Sequence, residues 1–257
     1  GAGVNVENRI DTRVKAYIDT SQRTHIDAGR NIGITAQDTS NITATGEASA
    51  VSASVGAIAG SVSIGVALAS NTISNQVEAY VKNSTVDTTN GNLTINAIEN
   101  ATITATAKAA ATSASFGIGL SFSGGGANTS ATVNTTTKAY VESSTLNIGG
   151  DLTVDAASMS TATAMVAATS KSVGLIAVAV TGSVAVANIT PTTEAYITTS
   201  TVTAEDIKVE ATATPKATVM ATGLSLAAGL GGAVGVSKAF ATVKPTVNAY
   251  LGGTITA

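Results

Sequence analysis

The residue types that most often carry chemistry are scarce in this chain. Cys is absent and the single histidine is His25, in the stretch Thr24-His25-Ile26-Asp27. Strand-like alternation turns His25 to the surface, away from the partner and nucleophile that a catalytic histidine needs. No Gly-x-Ser-x-Gly elbow occurs either. The pattern therefore predicts an exposed, inert histidine.

The acidic residues do not form a catalytic or metal-binding pattern. Asp151 and Asp155 are four apart on one strand face, and Glu205 and Asp206 adjoin a turn. Polysaccharide-processing β-helices need clustered acids, often with a cation. The other repeats do not extend either pair into a cleft lined with carboxylates. These acids are predicted to be solvated, with no catalytic, cofactor-binding or metal site.

Two glycine-rich stretches resemble nucleotide-binding loops only superficially. Gly124-Gly125-Gly126 and Gly229-Leu-Gly231-Gly232 are not followed by the Lys-Ser/Thr of a phosphate loop. Both are predicted to be turns, so the sequence offers no nucleotide or other cofactor.

The composition excludes several classes of protein. Charged residues make up 11% and aromatic residues 3%, so the interior must pack through small side chains, as closely stacked strands do. The net charge of −3 argues against a nucleic-acid partner. The absence of Cys excludes disulfides and fits a long exported protein, of which this chain is expected to be a piece.

All five tyrosines fall in one repeated motif, Ala-Tyr-apolar, at spacings of 63, 60, 56 and 54 residues. The tyrosines are Tyr17, Tyr80, Tyr140, Tyr196 and Tyr250. This periodicity predicts a single array over residues 1–257 with about four copies of one unit. The approximate copies are 17–79, 80–139, 140–195 and 196–249, with a partial copy at 250–257.

An apolar-x-apolar-x-Ala segment follows each of the first four tyrosines after a Ser/Thr cluster, and its period of two predicts a strand. We therefore predict an all-β, parallel β-solenoid with more than half its residues in strands. The second apolar residue of each segment should stack into one buried column that faces small side chains (Ala, Ser, Gly). This column contains Ile34, Ile95, Val154 and Val209.

The second half of each repeat is more apolar. Residues 173–189 are too short and too rich in Gly and polar residues for a membrane helix, so buried strands are predicted. Two glycines recur in each half-repeat. The first set is Gly56, Gly117, Gly174 and, in a weaker fourth copy, Gly223; the second set is Gly65, Gly126, Gly182 and Gly235.

The height of one repeat can be predicted from its charges. Either each repeat winds about three coils, with equivalent residues about 14 Å apart, or each is one wide rung, with equivalent residues as neighbours. Val14, Ala16 and Ile18 should face inward. The outward residues change sign from copy to copy: Lys15, Glu78, Lys138, Glu194 before the tyrosine, and Asp19, Lys82, Glu142 after it. Opposite charges stabilise adjacent strands, so the signs favour wide rungs with stacked tyrosines.

Threonine pairs spaced by two recur at Thr43/Thr45, Thr102/Thr104/Thr106, Thr161/Thr163 and Thr212/Thr214. On a flat solenoid they would form a lattice of hydroxyl and methyl groups, as in ice-binding solenoids. Threonine is also simply a favourable solvent-facing strand residue. A surface-binding solenoid, for ice or for a glycan, is therefore the alternative function.

Taken together, the Ser-x-apolar turn, the Leu-Thr-Ile-x-Ala strand and the Ala/Ser/Gly/Val return to Ala-Tyr-Val resemble the repeats of giant filamentous bacterial adhesins, the leukotoxin-like and filamentous-haemagglutinin-like proteins. The resemblance covers nearly the whole chain. It implies a secreted, cell-surface shaft that attaches to a host or neighbouring cell, joins further copies of the repeat and has no catalytic residue. Membrane contact through the apolar half-repeats is a further alternative.

Overall fold

The computed structural model describes residues 1–20 and 25–257 and is all-β. Strands make up 87% of the chain, which confirms the predicted fold class. The described residues include no helix that is long and apolar enough to cross a membrane.

The strands form two parallel sheets. The first sheet contains the long strands β1 (Ala2–Ile10), β4 (Ile32–Ile73), β7 (Leu93–Val133), β10 (Leu152–Ile189), β12 (Ile207–Ala213) and β13 (Lys216–Val243). The second sheet contains β2 (Arg13–Asp19), β3 (His25–Ala28), β5 (Gln76–Lys82), β6 (Thr85–Thr88), β8 (Thr136–Glu142), β9 (Thr145–Ile148), β11 (Thr192–Thr203) and β14 (Thr246–Thr256).

Each of the longest strands folds back on itself at a tip. In β4, Ser63 Oγ donates to Ala50 O at 2.7 Å although both residues belong to the same 42-residue strand. The pairing register shifts between Val55 and Ile58, which places the tip there. We call residues 32–55 and their equivalents the outgoing arm, and residues 58–73 and their equivalents the returning arm. At 3.3 Å per residue, the outgoing arm is about 80 Å long.

Backbone hydrogen bonds run from each repeat to the next and not between the two arms. Ile34 pairs with Ile95, Ile95 with Val154, and Val154 with Val209, all in parallel register. Equivalent residues are therefore neighbours one strand spacing apart, about 4.8 Å. Each repeat is one wide rung, and the alternative of three coils per repeat is wrong.

Two apolar clusters fill the interior. The one near the tyrosines contains the predicted column, in which Ile95 and Val154 are fully buried and Val209, in the last rung, is half-exposed. The prediction of small facing residues is wrong here, because Val77 and Val81 come from the opposite wall and pack in the same cluster. The second cluster, further along the arms, consists mainly of alanine with isoleucine and valine.

The distal part of the rungs reverses the expected pattern of burial. We call it the blade: residues 49–66 and their equivalents 110–126, 169–182 and 224–236. Its strands are present as predicted, but the large apolar side chains face outward; Ile58 is 91% exposed and Ile118 is 70% exposed. Inward positions carry Ser, Ala and Gly, and Ser61, Ser63 and Ala59 are buried. The prediction that the apolar half-repeats would be buried is therefore wrong for their large residues.

The narrow gap between the two arms of the blade explains this reversal. A Cβ atom added to Gly65 would lie 2.6 Å from Ala110 O, and one added to Gly125 would lie 2.8 Å from Thr169 O. These contacts are shorter than van der Waals separation, so neither glycine can carry a side chain unless the arms move apart locally. In the third rung the column of Gly125 holds a buried threonine, Thr181. The predicted close packing of small residues holds in the blade, where serine hydroxyls bond directly to the opposite arm.

The structure corrects three predictions about glycine. Gly124 to Gly126 lie inside β7, and Gly231 and Gly232 lie inside β13, so these residues do not form turns. Only Gly229 (φ 141°), at the tip, lies where the chain reverses. In the fourth rung Gly229 follows Ala228, the partner of Val173, and therefore occupies the tip position of Gly174.

Gly223 instead pairs with Ala168 on the outgoing arm. The second glycine set also divides into two columns, because Gly65 pairs with Gly125 whereas Gly126 pairs with Gly182.

The short breaks between strands have their own stacked structure. Pro191, Pro215 and Pro245 all lie in such breaks, where the missing N–H of proline costs no strand pairing. The Ser/Thr clusters after Tyr80, Tyr140 and Tyr196 form corners in which Asn83, Ser143 and Thr199 have positive φ values of 51–52°. The serine after each of them bonds back to the chain two residues earlier, as Ser144 Oγ does to Glu142 O at 2.8 Å, which fixes the corner in these three rungs.

Candidate functional site: a stacked tyrosine and ion-pair ladder

The five tyrosines form one continuous stack on the outside of the second sheet. Neighbouring ring centroids are 4.7–5.0 Å apart and the ring planes are within 10° of parallel. Tyr80 pairs directly with Tyr140 in adjacent strands. Burial within the stack raises the pKa of Tyr196 to about 12 and raises the pKa of Tyr140 further. The phenols of Tyr140 and Tyr196 therefore stay protonated at neutral pH.

The alternating charges on either side of the tyrosines are paired across rungs, as their signs predict. In β2, Val14, Ala16 and Ile18 point inward, and the charged side chains beside the tyrosine point outward. Asp19 lies beside Lys82 in the register. The ion pairs are Lys15–Glu78 at 2.7 Å, Lys138–Glu194 at 2.7 Å and Lys82–Glu142 at 3.0 Å. Hydrogen bonds from Lys15 to Glu78 and from Lys82 to Glu142 raise the pKa of each lysine.

A charge reversal should show that these pairs fix the register. The Lys138→Glu variant places three carboxylates in one column, with Glu78 below and Glu194 above. We expect it to lower the free energy of unfolding by about 1–2 kcal/mol, because exposed pairs contribute under about 1 kcal/mol and like charges repel. Urea denaturation measures this loss.

The matched control for the charge reversal is Lys138→Gln, which removes the pair without adding repulsion and should cost about 0.5 kcal/mol. The difference between the two variants should shrink in about 1 M salt, where charges are screened beyond about 3 Å. Equal losses for both variants at low salt would show that the column of charges does not act across rungs.

The predicted acidic residues occupy a second ladder, at the turn before each outgoing arm. Asp151 N–H bonds to Asn92 Oδ1 at 3.0 Å, and Asn92 N–H bonds to Asn31 Oδ1 at 2.9 Å. Asp206 stands one rung above Asp151 and accepts a backbone bond from Leu152 through its carbonyl oxygen. The side chains of Asn31 and Asn92 thus connect successive turns, and Asp151 and Asp206 contribute backbone groups only.

The other singled-out groups lie on the flat outer surface. Asp155 is half-buried beside Glu210 of the next rung, and burial raises the pKa of the Asp155 carboxyl. Glu205 is exposed in the turn before β12. His25 is exposed, as predicted, and its Nε2 lies 3.3 Å from Asp87 Oδ2 of the next rung.

The threonines align only in part. Thr43, Thr104, Thr163 and Thr218 form one complete column on the outgoing arms. The next column outward is interrupted: its members are Thr45, Thr106, Met165 and Met220. Of the predicted fourth pair, Thr212 pairs with Ala157 and Thr214 lies in the break after β12, so this pair is outside the lattice.

A polar seam inside the solenoid was missed by the sequence reasoning. It separates the two apolar clusters, and its main acids are Asp38 and Glu99, which pair in adjacent rungs. Asp38 accepts hydrogen bonds from Thr12 Oγ1 at 3.1 Å, Ser40 Oγ at 2.8 Å and Asn75 Nδ2 at 2.7 Å. Its carboxylate is therefore well satisfied.

Glu99 is the unusual member of the seam because it is 1% exposed. Its Oε2 accepts a bond from Ser158 Oγ at 2.9 Å, while its Oε1 has no partner. Burial raises the pKa of Glu99 to about 7, against the opposing effect of the Ser158 hydrogen bond. The sequence contains a signal for this burial. Glu99 is an even number of residues from Leu93, Ile95 and Ala97 on the same strand, so it points to the same inward face as they do.

Comparisons of the chain with protein-family models, with curated proteins and with solved structures find no match. Among the described residues, no three His, Asp or Glu side chains gather closely enough to hold a metal ion.

Proposed function

We propose that the chain is a segment of the shaft of a large secreted bacterial surface protein that attaches to a host or neighbouring cell. The observation that carries this proposal is the parallel pairing of successive rungs: their strands pair with their counterparts in the next rung, from the tyrosines to the blade, with register shifts at the tip. Such a stack lengthens by adding repeats, each of which contacts only its neighbours. The resemblance to filamentous adhesin repeats also supports it.

The geometry also bears on what kind of shaft this is. One rung of 54–63 residues adds only about 4.8 Å of height, roughly a third of what three coils of the same length would add. A wide-rung shaft is therefore short for its number of residues but broad, because its arms are about 80 Å long. We propose that its role depends on stiffness and on broad faces, so that the parent protein needs many repeats to extend from a cell.

We further propose that the segment has no enzymatic activity. Three of the acids that the sequence singles out, Glu78, Glu142 and Glu194, are paired with lysines between rungs. Each of these groups has a structural partner on the neighbouring rung. Turnover of a polysaccharide that is lost on mutating Asp151 or Asp155 would contradict this part of the proposal.

Tandem copies of the chain test the shaft proposal directly. Electron microscopy of fusions with one, two and four copies should show a flat particle of constant width, about 80 Å, whose height grows in proportion to copy number, from about 20 Å to about 80 Å. Separate globules joined by linkers would contradict the shaft. Beads coated with the four-copy protein should also adhere to cultured cells, and a bead that carries serum albumin is the control. Continuous particles that do not adhere would leave a structural shaft without an adhesive role.

One observation favours a second candidate, a surface that binds ice or a glycan. The complete column Thr43, Thr104, Thr163, Thr218 repeats hydroxyl and methyl groups at the strand spacing. Met165 and Met220 interrupt the adjacent column, so the regular lattice is only one threonine wide over all four rungs. A thermal-hysteresis assay separates the candidates: the shaft proposal expects no ice-growth inhibition, and inhibition that Thr104→Val alters would favour the second.

A further inference from the structure

The outer face of the returning arms in the blade is a flat apolar surface without a partner in the described structure. It comprises the outward residues between the tip and Leu68 in the first rung and their equivalents in the next three. Val62 is 61% exposed, Ile64 47%, Leu120 56% and Leu230 71%. None of the outward positions between the tip and the Val66 column carries a charge in any of the four rungs.

The large apolar side chains of this surface cannot turn into the interior. The outward parity is fixed because the inward residues bond to the other arm: Ser63 Oγ to Ala50 O at 2.7 Å, Ser172 Oγ to Ser121 O at 2.9 Å and Ser183 Oγ to Thr222 O at 2.7 Å. The gap is also too narrow for a larger side chain at Gly65. Exposed apolar patches of several hundred Å² on soluble proteins mark interaction sites.

We propose that this face is the interface between two copies of the chain, packed returning arm against returning arm. Ten residue steps of about 3.3 Å and four rungs of about 4.8 Å give a face of roughly 600 Å². Two copies together bury roughly 1,200 Å², the size at which specific interfaces begin. Because the face repeats with every rung, a longer array gains interface area in proportion to its number of repeats.

The relief and charge of the face suit a second copy. Columns mix large and small residues, as in Ile64, Gly124, Val180 and Val234, so ridges on one sheet can enter grooves on another, as in face-to-face sheet packing. The one charged residue of the face is Lys238, at its margin in the Leu68 column of the fourth rung, so repulsion between identical copies is small. A self-complementary patch of this kind produces a closed two-fold pair.

The opposite side of the blade argues against a lipid bilayer as the occupant. On the outgoing arms the equivalent outward positions include Thr112, Thr169 and Lys171, and Lys171 lies only two residues from Val173 near the tip. A blade inserted into a membrane would bury that lysine, which is costly. A partner sheet covers the returning arms alone and leaves Lys171 in water.

Sedimentation velocity of the whole chain across a concentration series tests the proposal. We expect a reversible dimer, and the double variant Ile64→Lys/Val180→Lys should weaken dimerisation at least about 100-fold, since it places charges at the centre of a desolvated face. The matched control is Thr43→Lys/Thr163→Lys, which adds the same charge in one column of the outgoing arms, again two rungs apart. It should dimerise like the parent.

Further measurements keep the test decisive. Circular dichroism should show that both double variants remain folded; if the first does not, the milder Ile64→Thr/Val180→Thr takes its place. Since the chain has no Cys, a spin label on Gly124→Cys should report intermolecular coupling that Thr104→Cys lacks. A parent chain that stays monomeric, a dimer insensitive to the returning-arm variants, or binding to phosphatidylcholine vesicles in place of dimerisation would overturn the proposal.

Discussion

Replacing Ile95 with Asp is expected to unfold the array. Ile95 is fully buried between Ile34 and Val154 in the cluster under the tyrosine strands. The substitution loses about 2–3 kcal/mol of apolar burial and adds a carboxylate that has no partner there, at several kcal/mol more. A total of at least about 5 kcal/mol equals the whole stability of many domains. Circular dichroism and thermal melting measure the outcome.

The matched control for Ile95→Asp lies three residues further along the same strand. Ile98 has the opposite parity, pairs with Gln37 and Ala157, and is only half-buried. Ile98→Asp introduces the same charge on the outer face, where water solvates it, so a loss of at most about 1 kcal/mol is expected. If both variants melted like the parent, the assignment of the buried column would be wrong.

The Glu99→Gln substitution is expected to stabilise the protein at pH 8 and to remove a pH dependence. Because burial raises the pKa of Glu99 to about 7 from its ordinary value of 4.5, the native state holds a proton that the unfolded state releases. The contribution of this group to stability is therefore fully present below about pH 4.5, decreases as pH rises, and is lost above about pH 7. A shift of this size corresponds to roughly 3 kcal/mol.

Urea denaturation from pH 4.5 to 8.5 measures this effect. The parent should lose up to roughly 3 kcal/mol from Glu99 as pH rises through 7, whereas Glu99→Gln should lack that decrease. Glu47→Gln is the control, because Glu47 is an exposed carboxylate that pairs with Lys108 on the outgoing arm. It should keep the pH profile of the parent. An unchanged profile in Glu99→Gln would show that Glu99 is ionised in the folded protein at neutral pH.

The two substitutions affect different aspects of the same interior. Ile95 belongs to a column in which every rung has the same type of side chain, apolar and β-branched, since Ile34 and Val154 occupy this position in the adjacent rungs. Glu99 is followed in its column by Ser158 and preceded by Asp38, so the seam varies from rung to rung. Polar interiors of this kind specify register at some cost in stability, which the Glu99→Gln measurement would quantify.

Much of the architecture was determined by local patterns in the sequence. Alternation around Ile95 and Val154 identified both the strands and their buried face, because successive side chains of a strand point to opposite faces. The signs of Lys15, Glu78 and Lys138 predicted the wide rung, because opposite charges stabilise each other only between adjacent strands. The tyrosine spacing similarly indicated which residues would stack.

The blade shows what only the tertiary structure decided. Alternation separates Val62, Ile64 and Val66 from Ser61, Ser63 and Gly65, but it does not say which set faces inward. Hydrophobicity favoured burial of the large set, and the structure buries the small one. The separation of the two arms decides this, because the narrow gap holds small side chains: Gly, Ala, Ser and, in the third rung, Thr181. That separation depends on where the chain folds back and which residues meet across the gap, neither of which local alternation contains.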